Sequence, residues 1–247
     1  EELVKSANGK EVGIRFNEKF GKRPDTLIYP QDVMEVVKKG ATSFHCSEET
    51  WDNPLDLFTG IKKRELEELR VGWDLILDVD CAIFEYSRIC ADLIVKFLKY
   101  SGVKNIFGKF SGNKGFHIAV AFESFPDEIG GQKMEQMFPE APQKIAFYIK
   151  ENIKHELERK ILEMENNDIS QIVNKVKLNK DKITRYEKNE YGDKISKLDV
   201  ENFLEIDTIL ISSRHLFRMP YSLHEKSGLI SLPIDVNQIM KFEKHMA

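Results

Sequence analysis

The stretch "WDLILDVDCAIFEYSRIC", residues 73–90, decides how the rest of the chain is read. Its first half is an apolar run of strand length that finishes on two carboxylates, Asp78 and Asp80. In a strand, residues i and i+2 point to the same side, so the pair shares one face with Cα atoms roughly 6.5–7 Å apart. Like charges brought to about 4 Å at an effective dielectric of about 20 repel by roughly 4 kcal/mol, and a divalent cation between them removes that cost. A plainer reading of a bare Asp-x-Asp has Asp80 capping the next helix and Asp78 paired with a lysine. A third carboxylate, Asp207 within the apolar "LEIDTILI" (204–211), strengthens the metal reading, because three hard oxygen ligands suit Mg²⁺ or Mn²⁺ and two-metal phosphoryl transfer.

Downstream of the acidic strand, Cys90, Leu93, Ile94, Phe97 and Leu98 recur at helical spacing, and Ser101-Gly102 supplies a C-terminal stop. "KNIFGKF" (104–110) and "GFHIAVAF" (115–122) follow as strands joined by the short turn "SGNK". Strand, helix and hairpin together predict a βαβ unit with an added antiparallel strand. Upstream, short apolar runs alternate with turn residues up to a charged helix over 62–70, "KKRELEELR". Ile145, Ile149, Ile153, Leu157 and Ile161 recur every four residues and predict a long amphipathic helix over about 142–166, followed by a strongly charged run. The expected class is mixed α+β: one domain over 1–247, with a helical insertion at about 132–198.

At 247 residues and 41% apolar content the chain can bury a substantial core. No stretch approaches the roughly 20 apolar residues of a membrane span, and "EELVKSANGKE" has no signal-peptide core. No membrane partner is expected, and the expected location is the cytoplasm, or the nucleus in a eukaryote. Cys46, Cys81 and Cys90 lack CxxC spacing, so neither a disulfide framework nor a structural zinc site is predicted. The net charge of -4 argues against indiscriminate coating of nucleic acid, yet it averages over uneven segments. Residues 175–197 carry eight Lys or Arg against four acids, and 103–120 carry Lys104, Lys109 and Lys114 with no acid.

Two further constellations suit phosphate. In "KFSGNKGFHIAV", Ser111, Gly112 and Gly115 allow close backbone approach to a ligand, Lys114 adds charge and His117 stands on the following strand. Gly-containing hairpins are also common without any ligand. In "SSRHLFRMPYSLHEKSG", Arg214, His215, Arg218, Ser222, His224 and Lys226 crowd just after Asp207, as neutralising a triphosphate requires, although a solvated basic loop reads the same way.

In this order the pieces resemble the small catalytic subunit of the archaeal and eukaryotic DNA primases, within the archaeo-eukaryotic primase superfamily. "LILDVDC" is similar to that family's acidic motif, "SGNKGFHI" to its Ser-x-His motif, and "RHLFRMPYSLHEKSGLISLPID" to the segment after its last metal aspartate. The region before the acidic motif, "ATSFHCSEETWDNPL", is similar as well, so the resemblance runs over about 41–235. It implies a palm built on a modified RNA-recognition-like sheet, with Asp78, Asp80 and Asp207 holding Mg²⁺ or Mn²⁺. It further implies that Ser111 and His117 contact the phosphates of an incoming nucleoside triphosphate, with Arg218 and His224 assisting and Lys114 and Lys226 close by.

Asn113 and Lys114 stand where the family commonly carries paired arginines, which removes one fixed cationic fork. The resemblance implies primer synthesis on a single-stranded DNA template and a large iron–sulfur subunit as partner. The same motifs would serve a primase-polymerase that extends primers in repair, end-joining or a mobile element. From other classes, a non-catalytic single-stranded nucleic-acid-binding module and a metal-dependent phosphohydrolase share part of the pattern.

Overall fold

The computed structural model describes residues 1–188, 190–207 and 211–247. The chain opens with α1 (Glu2–Ala7), the antiparallel pair β1 (Val12–Phe16) and β2 (Lys19–Phe20), α2 (Pro30–Lys38) and β3 (Ser43–Ser47). β4 (Glu49–Trp51) pairs with β5 (Arg70–Trp73), with α3 (Lys63–Leu69) between them in sequence, and β5 runs on into β6 (Leu75–Cys81). The deciding stretch thus forms β6 and the start of α4 (Phe84–Tyr100), which leads to β7 (Ile106–Phe110) and β8 (Phe116–Val120). A small hairpin of β9 (Glu128–Ile129) and β10 (Gln132–Lys133) precedes α5 (Glu140–Met164) and α6 (Ile169–Val176). The remaining elements are the ribbon β11 (Thr184–Lys188) and β12 (Lys194–Leu198), then β13 (Leu204–Asp207), β14 (Leu216–Arg218) and β15 (Pro233–Ile234).

Alternation along β6 explains its place. Leu75, Leu77, Val79 and Cys81 are buried against α4 and its neighbours, whereas Ile76, Asp78 and Asp80 face the other way. The sheet order is β13-β6-β8-β7-β15, antiparallel at every junction. Sequence pattern predicts β6 and β7 as the two strands of one βαβ unit. The structure corrects their adjacency: β8 inserts between them, so the unit is split and the hairpin strand lies at the centre of the sheet. α4 ends in a Schellman turn, with Val103 N–H donating to Leu98 O at 3.0 Å and Gly102 N–H to Lys99 O at 3.0 Å. Gly102 takes φ +88°, a left-handed conformation that L side chains resist.

α5 begins two residues before the expected start and packs on α4. Its buried Ile149, Ile153, Leu157 and Ile161 join the same core as the sheet, each contributing roughly 1.5–3 kcal/mol of transfer free energy before entropy is charged. The charged run expected to continue a helical insertion instead contains the β11–β12 ribbon. Of the strand expected over 202–211, β13 covers Leu204–Asp207, and residues 208–210 lie outside the described residues.

A second sheet, in the order β14-β3-β1-β2, has its own apolar cluster of Val12, Ile14, Phe44, Cys46 and Met219. The chain passes from β13 of the first sheet to β14 of the second within a few residues, so Asp207 lies near the seam. Phe217 of β14 closes that seam: its ring centroid is 6.2 Å from that of His117 and 5.8 Å from Lys109 Nζ. Among the described residues no helix is long and apolar enough to cross a membrane.

Candidate functional site

Register builds the site. Asp78 pairs with Asp207 across β6/β13 and with His117 across β6/β8, while Lys109 pairs with His117 across β7/β8. Asp207, Asp78, His117 and Lys109 therefore form one transverse row on the face of the sheet opposite α4, two acids beside an imidazole and an ammonium. Asp80 stands two residues further along β6 on the same face, opposite Glu205.

Electrostatics separate the members of this row. Burial, then the charges of Asp80 and Asp207, push the Asp78 carboxyl up to about 7, against the pull of Lys109 and His215. Burial also raises Asp80, opposed by Lys114, Lys244 and His224. His117 Nε2 stands 3.5 Å from Asp78 Oδ1, but burial and the surrounding cations Lys109 and Arg218 drive its pKa far down, so the ring is neutral at pH 7. Its Nδ1 is buried without a hydrogen-bond partner. Burial likewise lowers Lys109 to about 7, although Asp78 resists the shift, and Nζ donates to Ser231 Oγ at 2.9 Å.

A cavity of about 20 Å³ lies against the row, lined by Asp78, Asp207, His117, His215, Glu48 and Phe217 among others. The Glu48 carboxylate, 3.5 Å from His215 Nδ1, holds that imidazole above its usual range together with Asp207 and Asp78. An open cleft of about 450 Å³ lies on the other side of Asp207, bounded by Asp80, Glu205, Glu201, Phe203 and Lys150.

The glycine-rich turn seats against the acidic strand. A Cβ on Gly115 would fall 1.6 Å from the carbonyl oxygen of Val79, so only glycine lets the turn approach β6 between Asp78 and Asp80. Ser111 Oγ accepts the Gly115 N–H at 3.3 Å, which leaves its own O–H proton available to a ligand. The turn is tied to the basic loop, where Ser227 Oγ donates to Gly112 O at 2.5 Å. Gly112 faces His224, whose Nδ1 accepts from Ser227 N–H at 3.3 Å and whose pKa is lowered by burial and by Arg218.

The cations of the basic run take different roles. Arg214 is committed to structure, with its guanidinium donating to both oxygens of the fully buried Glu11 at 2.8 and 3.0 Å and to Phe58 O at 2.7 Å. Arg218 pairs with Glu225 at 3.2 Å and donates to Leu223 O. Burial works to raise the Glu225 carboxyl, but the Ser43 hydroxyl, a backbone N–H, Arg218 and Arg15 together hold it at about 2. Lys114 and Lys226 are exposed at the rim. Ser222 is structural, its buried Oγ accepting the Phe44 N–H at 2.6 Å.

Thus register brings Asp78, Asp207 and His117 together, with Asp80 beside them, while the 111–115 turn and the His224 loop form a joined rim. Sequence reasoning counted Lys109 only in a basic segment and His215 only in the basic run, and it missed Glu48 and Glu225. Lys109 had a readable signal, since alternation along "GKF" next to "GFH" sets it on the face of His117. Glu48 and Glu225 had none, because His215 for the one, and Ser43 and Arg15 for the other, lie far away in sequence.

The donor set fits a divalent metal: carboxylate oxygens share one face, and burial together with the neighbouring acids leaves one of them resisting ionisation against the pull of Lys109 and His215. Among the described residues no three carboxylate, imidazole or thiolate side chains already converge as a finished cage.

No protein-family model matches this chain. An uncharacterized protein of Methanocaldococcus jannaschii is 34% identical over 109 residues, which is 42% of this chain and 23% of that protein, so the match spans under a quarter of the relative. Among solved structures, the polymerase domain of Mycobacterium tuberculosis Ligase D in complex with DNA superposes with a TM-score of 0.55 at 12% identity, covering 98% of this chain and 80% of that one. At that identity the likeness speaks to the fold alone, and the chain shares the mixed α+β architecture of that polymerase domain.

Proposed function

We propose that this chain is a template-dependent nucleotidyltransferase of the primase-polymerase kind, which joins nucleotides on single-stranded DNA with Mg²⁺ or Mn²⁺. The observation that carries the reading is the transverse row: two facing aspartates, a third two residues on, and a neutral imidazole at the same register. Asp78, Asp80 and Asp207 would hold the metals. When bound, divalent ions lower the pKa of a primer 3′-hydroxyl and neutralise charge on the leaving pyrophosphate.

The chain's own groups do the rest by position and charge. A neutral His117 can donate one ring N–H to a phosphate oxygen without acting as an acid. Ser111 donates its hydroxyl proton from a turn fixed against β6, Arg218, Lys114 and Lys226 line the rim with positive charge, and His224 adds a neutral imidazole. Arg218 enters this role already oriented by Glu225. A phosphohydrolase has no need of so extended a cationic rim, and a binding module has no need of three acids gathered on one face of the sheet.

A repair polymerase that extends existing primers fits the same geometry, and the likeness to a ligase's polymerase domain favours it no less than a replicative primase. The deciding experiment measures incorporation of labelled nucleoside triphosphates on unprimed and primed single-stranded DNA with each metal, beside Asp78→Asn. Products on unprimed DNA that vanish in the variant support a primase, and products on primed DNA alone support the extending enzyme. Initiation only after addition of a large iron–sulfur subunit favours the primase with that partner. No incorporation on either template, with DNA binding intact, would falsify the enzymatic reading in favour of a binding module.

A further inference from the structure

The β11–β12 ribbon has two faces of opposite character. On the inner face Arg185 grips the buried Glu158 of α5 through both guanidinium nitrogens and also donates to Glu187 at 2.8 Å, and Lys197 pairs with Glu187 at 2.6 Å. Ile183 and Leu198 at its base are buried in the main core. The inner face is thereby anchored and its charges are matched.

The outer face carries Tyr186, Lys188, Lys194 and Ser196, set by the register Tyr186↔Ser196 and Lys188↔Lys194. Two lysines directly opposite each other repel and destabilise a strand pair. Tyr186 is 65% exposed, and Lys194 Nζ lies 5.0 Å from its ring centroid. Exposed Lys180 and Lys182 flank an exposed Asp181 at the base and leave one net positive charge there, while Glu190 and Asp193 sit in the turn beyond the last paired rung. A flat aromatic flanked by a self-repelling lysine pair contributes little to this fold and matches a polyanion with stackable rings. Five residues lie between Leu198 and Leu204, where β13 begins its run to Asp207, and three of them, Glu201, Asn202 and Phe203, line the open cleft at Asp80 and Asp207.

We infer that the outer face of the β11–β12 ribbon binds single-stranded nucleic acid, with Lys188 and Lys194 on the phosphodiester backbone and Tyr186 stacking a base. This assignment rests on the polymerase reading for its ligand class, the strand that leads into the carboxylate cleft.

The test is fluorescence anisotropy of a labelled oligothymidylate with the whole chain, between about 50 and 200 mM salt. Lys188→Gln/Lys194→Gln should flatten the slope of log K against log salt by about 1.4, as two lost contacts to a single strand predict. Tyr186→Ala should weaken binding about 10-fold at fixed salt. Relief of the lysine repulsion should leave the melting temperature of the double variant unchanged or raised. If it falls instead, Lys188→Arg/Lys194→Arg decides: a wild-type slope supports the assignment, and a flattened one overturns it.

Affinity and slope equal to wild type in all variants, or no binding by the wild type, would also overturn it. Asp78→Asn separates the two readings, since it should bind the oligonucleotide like wild type while losing incorporation. Ribbon-dependent binding by a protein that never incorporates nucleotide removes the polymerase reading and leaves the ribbon. Incorporation with ribbon-independent binding removes the ribbon alone.

Discussion

Asp78 and Glu225 are two carboxylates at the same seam with opposite fates. Glu225 sits among Ser43, Thr42, Arg15 and Arg218, which hold it ionised down to about 2. Asp78 has a neutral imidazole beside it and two further acids near, and is pushed up to about 7. Burial works to raise both, so their opposite outcomes turn on the neighbouring groups that oppose or add to it. Glu225 has its counter-charges built in and orients Arg218. Around Asp78 the pull of Lys109 and His215 is outweighed by burial and two further acids, and a site that maintains such an imbalance is arranged for a cation from outside.

The largest effect should come from breaking the unbalanced side. Asp78→Asn keeps the shape of the side chain and removes its ionic bond to metal, so incorporation should fall by at least about 100-fold. Stability should move the other way. In metal-free protein, between the ordinary 3.8 and the folded value of about 7, folded Asp78 keeps a proton that the unfolded chain has released. Wild-type stability therefore falls as pH rises through that window. Asp78→Asn, which has no proton to lose, should gain on wild type across it, as thermal melts in chelator at acid and alkaline pH would record. A variant that loses activity and is equally destabilised at every pH would make Asp78 a structural residue.

Breaking the balanced side should do the reverse. Glu225→Gln should destabilise by about 3 kcal/mol at most, the worth of a carboxyl lowered from 4.5 to about 2. That contribution is complete above pH 4.5 and disappears as pH falls toward 2, so variant and wild type should converge in acid. Denaturant titrations at neutral and acid pH measure the difference. Incorporation should drop less than for Asp78→Asn and mainly through a raised KM for nucleotide, because Arg218 loses its orientation while the acids stay intact. A loss of kcat matching that of Asp78→Asn would erase the distinction between the two carboxylates.

The two sides also differed in how far sequence could reach them. Asp78 and Asp80 were legible because a period-2 apolar strand that ends on acids violates its own pattern, and the helix and hairpin after it obey theirs. His117 followed from the glycine turn. Adjacency was not legible: periodicity gives each strand its face but not its neighbours, so β8 between β6 and β7, and Asp207 directly opposite Asp78, come from the fold alone. Glu225 looked like one acid in a basic loop, and its partners Arg15 and Ser43 lie some 180–210 residues upstream. Long-range ion pairs leave no local pattern, which is also why Arg214 read as a ligand cation although Glu11 claims it. The β11–β12 ribbon was hidden for another reason, since its alternation is carried by charges and not by apolar residues.

The smallest effect sharpens the comparison most directly. Metal that binds only the folded state stabilises it by about 1.4 kcal/mol at ten times its Kd, which for a chain of this size raises Tm by about 3–6 °C. Glu225→Gln should keep that rise and Asp78→Asn should lose it, as paired melts with and without Mn²⁺ would measure. The rise should also shrink as pH drops below 7, because the metal must then displace the proton that Asp78 retains, and protonated ligands bind metal weakly. A shift that survives Asp78→Asn, or that ignores pH, would place the ion elsewhere on this acidic chain, and the row across β13, β6 and β8 would need another explanation for its missing charge.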